Sequence, residues 1–205
     1  MNDKRLQWAL KLQSIAQTGL AYCKDEFDIE RYMQIRDISA EMLSETLSVS
    51  KEKLNDVFLN ESGYQTPKID TRAAIFSDGK ILMVREKNGK WSLPGGWCDV
   101  DCSIAQNVVK ESREETGLSV LPKRLIAVQD WRKHNVCNYI YGVIKIFVLC
   151  EPLGGEFVEN IETDCAAYFA KTELPKNIAA EKNTEEQILM CFNSYESGLE
   201  RVLFD

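Results

Sequence analysis

The sequence predicts an α/β sandwich built on a mixed sheet and preceded by a small helical domain. Three observations carry that expectation. Apolar residues recur at helical spacing up to the Gly63-Tyr64-Gln65-Thr66-Pro67 stretch; beyond it they alternate as in strands; helical spacing returns after a Pro-Gly-Gly turn and near the end. The break divides the chain into a helical domain at 1–66 and a sheet-containing domain at 67–205. With 205 residues, 44% of them hydrophobic, there is material for one ordinary domain with a core, plus an extension.

The helical domain is expected to hold segments at about 3–21, 28–47 and 50–59. Trp8, Leu12 and Ile15 mark an apolar stripe on the first, Ile35, Ile38 and Met42 on the second, and Leu54, Val57 and Phe58 on the third. Three short amphipathic helices are marginal as an independent fold. They should pack on the domain that follows or on a second copy, and a homodimer is the expected assembly.

In the second domain, strands are expected at 69–76 and 81–86, joined by Asp78-Gly79, a dipeptide suited to a tight hairpin. Asn88-Gly89 makes another turn before Trp91. Further strands are expected at 125–130, 141–151 and 165–170. A closing helix at about 184–197 has Thr184 as its cap, facing Glu185-Glu186-Gln187.

A net charge of -7 argues against a broad nucleic-acid-binding surface. It leaves room for a small anionic substrate, because bound metal and local Arg or Lys make one pocket positive on an acidic protein. No apolar run is long enough to cross a bilayer, and the opening residues do not resemble a signal peptide. A cytoplasmic protein with no membrane partner is expected. Seven cysteines without a C-x-x-C pair point to reduced thiols, and Cys98 with Cys102 is a weak zinc signal.

The chemistry is concentrated between Gly95 and Leu118. Glu111, Glu114 and Glu115 stand at i, i+3 and i+4, so in a helix ended by Gly117 they leave one face together. The last helical turn already carries negative partial charge. Two like charges about 6 Å apart add a repulsion of roughly 1 to 3 kcal/mol. A divalent ion reverses the sign. Oxygen ligands without a nearby histidine favour Mg²⁺ or Mn²⁺. Taken alone, the run reads first as a solvated helix face with Lys110 paired to Glu114, and the upstream context shifts that reading. Upstream, Leu93-Pro94-Gly95-Gly96 interrupts regular structure and lets the backbone of Gly95 and Gly96 approach an anion. Arg85, at the end of the second strand, is placed either to hold a phosphate or to make a surface ion pair.

These residues resemble the box of the Nudix hydrolases, which runs Gly, five residues, Glu, seven residues, Arg-Glu, apolar, any, Glu-Glu, any, Gly, apolar. Gly96 takes the first position, Lys110 the Arg, Glu111 the Glu beside it, Glu114 and Glu115 the pair, and Gly117-Leu118 the end. Three identities depart. Cys102 replaces the first Glu, Lys110 the Arg, and Ser112 an apolar residue. Lys keeps the charge without the planar fork, and Asp99 or Asp101 is available in place of the missing carboxylate, so the number of metal ions stays open. The helical region, the Gly-Tyr-x-Thr-Pro-Lys join, Asp70-x-Arg72-Ala73-Ala74, Trp91 to Trp97 and Asn183 to Gln187 resemble the Nudix subgroup with an N-terminal helical domain, and within it CDP-choline pyrophosphatase.

The resemblance implies the Nudix α/β/α sandwich and hydrolysis of the pyrophosphate link of a nucleoside diphosphate derivative, giving CMP and phosphocholine from CDP-choline. It implies Glu111, Glu114 and Glu115 as metal ligands with the Gly96 carbonyl. Glu162, in the polar segment Glu159-Asn160-Ile161-Glu162-Thr163, is the first candidate for general base, with Glu114 as the other. A choline group is best held over aromatic faces, which brings in Trp97, Trp131, Tyr139 and Tyr141, although packing explains such residues too. His134 reads as an exposed loop residue. ADP-ribose or nucleotide-sugar hydrolysis, hydrolysis of RNA ends, and a non-catalytic Nudix binding module stay open as alternatives.

Overall fold

The computed structural model describes residues 4–47, 50, 54, 63–135, 141–198 and 200–205. The described residues form two compact units, divided between Pro67 and Lys68, with Tyr141 counted in the first.

In the N-terminal unit, helix α1 spans Lys4–Tyr22 and helix α2 spans Glu26–Leu47. Asp25 starts α2 by accepting from the backbone amides of Phe27 and Asp28, each at 3.0 Å. The face that α1 buries is not the expected one. Leu6, Ala9, Gln13, Ala16 and Gln17 point inward, whereas Trp8 is 58% and Ile15 46% exposed. On α2 the buried residues are Ser39, Ala40 and Leu43, and Ile38 faces out. Small residues explain the reversal, because they let two helices approach closely. A Cβ on Gly19 would lie 2.4 Å from the Tyr32 ring, and Ser39 donates across the pair to the Ala9 carbonyl at 2.7 Å. The third expected helix falls almost wholly outside the described residues, although Leu54 is buried with Leu6, Ala9 and Leu43. Tyr139 also lies outside them.

The second unit is a mixed sheet covered on both faces. Strands β1 (Lys68–Ser77) and β2 (Lys80–Glu86) form the expected hairpin, and Asp78 and Gly79 both adopt positive φ. Next come β3 (Trp91–Ser92), helix α3 (Ile104–Thr116), β4 (Leu118–Asp130), helix α4 (Trp131–His134), β5 (Val143–Gly155), β6 (Thr163–Phe169), helix α5 (Glu185–Ser197) and β7 (Leu203–Phe204). The path runs β3-β2-β1-β5-β4-β7, with β6 beside β2 and with β1 parallel to β5. β4 begins earlier than expected, because register shifts at Ser119/Val120 and Pro122/Arg124 accommodate a proline and two cations inside a strand.

Alternation along β1 separates the two sides. Ala73 and Ile75 join Leu82, Val108, Val120, Ile146 and Val148 under α3, whereas Ala74 and Phe76 join Ile81, Met83, Phe147, Ile188 and Phe192 under α5. Each face is covered by a helix over an apolar cluster, which makes the unit an α/β/α sandwich.

Candidate active site

Helix α3 presents the carboxylates, and its ends are fixed locally. Ser103 Oγ accepts from the Gln106 amide at 3.3 Å while Gln106 Oε1 accepts from the Ser103 amide at 2.9 Å, a reciprocal cap. At the other end Gly117, at φ 72°, donates to the Arg113 carbonyl. Ser112, where an apolar residue is usual, is fully buried and behaves as a small core residue.

The three glutamates part company by depth. Glu115 is 4% exposed, Glu111 is partly covered and Glu114 stands in solvent. Glu115 Oε2 accepts from the Gly95 amide at 2.9 Å. Burial pushes the Glu115 carboxyl up to about 7, although Arg72 and the Gly95 amide pull the other way. Burial also raises Glu111, against the pull of Lys110. Two carboxylates are therefore held in low dielectric with less positive charge than they need.

The Pro-Gly-Gly turn lies against this cluster. A Cβ on Gly95, at φ 139°, would meet the Thr71 carbonyl at 2.0 Å, and one on Gly96 would meet Glu111 Oε2 at 2.7 Å. Only glycine fits the first position, and at the second any side chain would push the Glu111 carboxylate aside. The turn runs beside β1: the Thr71 amide donates to the Gly96 carbonyl at 2.9 Å and the Ala73 amide to the Pro94 carbonyl at 2.8 Å. The second lone pair of the Gly96 carbonyl leaves it able to serve as a ligand.

Lys110 does not pair mainly with Glu114. Its ammonium lies 2.7 Å from Asp99, 3.4 Å from Glu111 and 3.8 Å from Glu114, and the Asp99 bond raises its pKa. The loop before α3 also brings ligand atoms of Asp99, Asp101 and Cys102 within 4.8 Å of one another. Asp99 is thus shared between the loop and the lysine.

The segment carrying Glu162 is tied to the end of α3. Asn160 Nδ2 donates to the Glu114 carbonyl at 2.9 Å and Thr163 Oγ1 to the Glu115 carbonyl at 2.8 Å. The Glu162 side chain is exposed, while its backbone is held by Asn160 Oδ1 and by the Lys87 amide. Arg85 pairs with Asp164 at 2.7 Å and sits 5.7 Å from the centroid of the Trp91 ring. Trp97 is half exposed beside Asp70, with which it makes an isolated bridge. Trp131 is buried, so its ring packs instead of lining an open pocket. His134 is not a free loop residue: its Nε2 lies 2.9 Å from Asp205.

Sequence reasoning missed the charges behind the site. Asp70, 2% exposed, accepts from Arg72 Nη2 at 2.7 Å and Nε at 3.2 Å and from the fully buried Lys145 at 2.6 Å. Arg72 also donates to the Leu93 carbonyl at 3.2 Å, which anchors the Pro-Gly-Gly turn. The one available signal was the charged pair Asp70-x-Arg72 inside an otherwise apolar strand.

Comparison with known proteins decides the family. Residues 67–189 match the family model for the NUDIX domain, and residues 3–58 match one described as a UDP-X-like, N-terminal oligomerisation domain. This chain belongs to the Nudix hydrolases. As such it needs a divalent cation, and the buried Glu115 and partly covered Glu111, beside the Gly96 carbonyl, are a hard-ion donor set that fits one. This Nudix hydrolase is 41% identical to YjhB of Bacillus subtilis, which carries a provisional ADP-ribose pyrophosphatase name, over 100% of this chain and 99% of that one. An ADP-ribose pyrophosphatase from Streptococcus suis is similar at 48% identity and a TM-score of 0.64, covering 68% of this chain and 100% of its own. A UDP-X diphosphatase structure is similar at 34% identity and a TM-score of 0.64, over 97% of both chains. No described helix is long and apolar enough to cross a membrane.

Proposed function

We propose that this Nudix hydrolase cleaves the pyrophosphate link of a nucleoside diphosphate derivative, with ADP-ribose and UDP-linked compounds ahead of CDP-choline as substrates. The observation that carries the reading is Glu115, buried at the end of α3 with a backbone amide as its hydrogen-bond donor and Glu111 beside it. The substrate order follows the relatives, whose names point to ADP-ribose and UDP-X; CDP-choline rests on the motif resemblance alone.

In this reading Glu111 and Glu115, with Glu114 and the Gly96 carbonyl at the rim, would hold Mg²⁺ or Mn²⁺. A bound ion would supply positive charge to offset the negative charge developing on the phosphate oxygens when water attacks. Gly95 and Gly96 let the diphosphate approach the backbone, and Arg85 and Trp97 flank the substrate. Glu162, on a segment pinned to the last turn of α3, accepts the proton of the attacking water, with Glu114 as the other candidate.

The N-terminal unit makes the enzyme a homodimer. Trp8, Ile15 and Tyr22 recur every seven residues on α1 and are all exposed, as a surface awaiting a partner helix would be. A cytoplasmic setting suits the free thiols of Cys98, Cys102, Cys150, Cys165 and Cys191.

The test is a panel of ADP-ribose, a UDP-sugar and CDP-choline with Mg²⁺ or Mn²⁺, scored for the nucleoside monophosphate released. Release of AMP from ADP-ribose supports the reading. No release from any of the three contradicts it.

A further inference from the structure

We infer that Asn107 is a positioning residue of this site: its buried carboxamide ties α3 to β1 and so sets where the Gly96 carbonyl stands against Glu111. The inference rests on the reading that Glu111, Glu115 and the Gly96 carbonyl hold a divalent ion.

Asn107 lies on α3 one turn before Glu111, on the same face, and it is fully buried. A carboxamide is costly in such a place unless both of its ends are bonded. Both ends are bonded here. Nδ2 donates to Thr71 Oγ1 at 2.9 Å, and Oδ1 accepts from the Asp99 amide at 3.3 Å. A backbone amide can only donate, so the Asp99 contact fixes which end of the carboxamide faces the loop. One side chain thereby joins α3, β1 and the loop that follows Gly96.

Thr71 carries the effect to the ligands. Its hydroxyl receives Asn107, while its own amide donates to the Gly96 carbonyl at 2.9 Å. Two residues further along the loop, the Cys98 amide donates to the Ile69 carbonyl at 2.9 Å, so the loop runs along β1 as a bonded strip. Its other side meets the helix, since a Cβ on Gly96 would lie 2.7 Å from Glu111 Oε2. A shift of α3 along β1 therefore separates the Gly96 carbonyl from the Glu111 carboxylate or drives them together. The bond between Asn107 and Thr71 opposes that shift.

The Asp99 arm is the weaker of the two. Its bond is longer, and the Asp99 carboxylate reaches Glu111 only through Lys110, at 2.7 Å and 3.4 Å. Packing alone asks for no carboxamide at this position, because the next residue, Val108, is buried in the apolar cluster under α3. The polar side chain is explained by what it holds in place.

The experiment is a Mn²⁺ titration of the full-length protein followed by electron paramagnetic resonance, with urea denaturation in chelator beside it, for wild type, Asn107→Ala, Thr71→Val and Thr71→Ser. The ion scored is the one lost in the Glu111→Gln, Glu115→Gln double variant. Asn107→Ala should bind it about tenfold more weakly, as expected when a group that orients a metal ligand is removed. Thr71→Val keeps the backbone amide and loses the hydroxyl, and should weaken binding by about three- to tenfold; Thr71→Ser restores the hydroxyl and should stay within about twofold of wild type. A merely structural bond lowers the stability of the metal-free protein and leaves the Mn²⁺ affinity of the folded chain unchanged. That outcome in Asn107→Ala, or in Thr71→Val should Asn107→Ala fail to fold, overturns the assignment. So does a Thr71→Ser that binds as weakly as Thr71→Val. ADP-ribose turnover, read alongside, separates the claims. Turnover with Asn107-independent Mn²⁺ binding removes the Asn107 assignment alone; Asn107-dependent binding without turnover of any nucleoside diphosphate derivative removes the substrate reading alone. A wild type that binds no Mn²⁺ at the glutamates removes both.

Discussion

Asp70 and Glu115 are buried to nearly the same degree in the same domain, yet they are treated oppositely. Asp70 receives two bonds from Arg72 and one from Lys145, so its charge is matched inside the protein. Glu115 receives one backbone amide, lies beside another carboxylate, and is driven toward neutrality by burial. A matched buried charge is scaffolding, and here it braces Leu93 and the turn. An unmatched one is held ready for a cation that comes from outside. Everything else in the candidate site follows from that contrast.

The largest expected effect lies on the unmatched side. Glu111→Gln and Glu115→Gln should each reduce turnover by roughly a hundredfold or more with the fold intact, as measured by steady-state rates beside circular dichroism. Wild-type rates in either variant would remove the metal assignment. On the matched side the outcome should be loss of the fold, not of chemistry alone. Asp70→Ala leaves Arg72 and Lys145 buried without their shared anion, and should cost about 3 to 5 kcal/mol in urea denaturation. A loss below about 1 kcal/mol would mean that the two clusters are not different in kind.

A smaller and opposite effect sharpens the contrast. With its folded pKa raised to about 7, Glu115 keeps its proton longer in the folded chain than in the unfolded one. Stability from this group is complete below the unfolded pKa and is lost as pH rises to about 7. In chelator at pH 8, Glu115→Gln should therefore be more stable than wild type, by on the order of 1 to 3 kcal/mol, and at pH 4 the two should converge. A variant that is less stable at pH 8 would show that Glu115 is a structural carboxylate like Asp70. Least in size, Lys110→Met should weaken metal binding or turnover by only a few-fold, because Asp99, not a glutamate, is the main partner of that lysine.

Much of this was legible in the residues. Spacing alone put Glu111, Glu114 and Glu115 on one face, Gly117 at the helix end, Asp78-Gly79 in the hairpin and Thr184 at the cap of the last helix, where it accepts from Gln187 as expected. What spacing cannot give is depth. The separation of Glu115 from Glu114 depends on which side of the stripe meets β1 and the Pro-Gly-Gly turn. Asp70 and Lys145 are distant in sequence and meet only through the folded chain. In the N-terminal unit hydrophobicity misled, because Ala9, Ala16 and Gly19 permit close packing while the bulkier Trp8 and Ile15 stay outside. The early part of β4 was hidden by Pro122, Lys123 and Arg124, which the bulges absorb.

The most direct test of the central claim is a Mn²⁺ titration followed by electron paramagnetic resonance at pH 6 and pH 8, on wild type and on the Glu111→Gln, Glu115→Gln double variant. Wild type should bind Mn²⁺, more tightly at pH 8 than at pH 6 as Glu115 loses its proton, and the double variant should lose that binding. Equal affinity in the two proteins at pH 8 would contradict it.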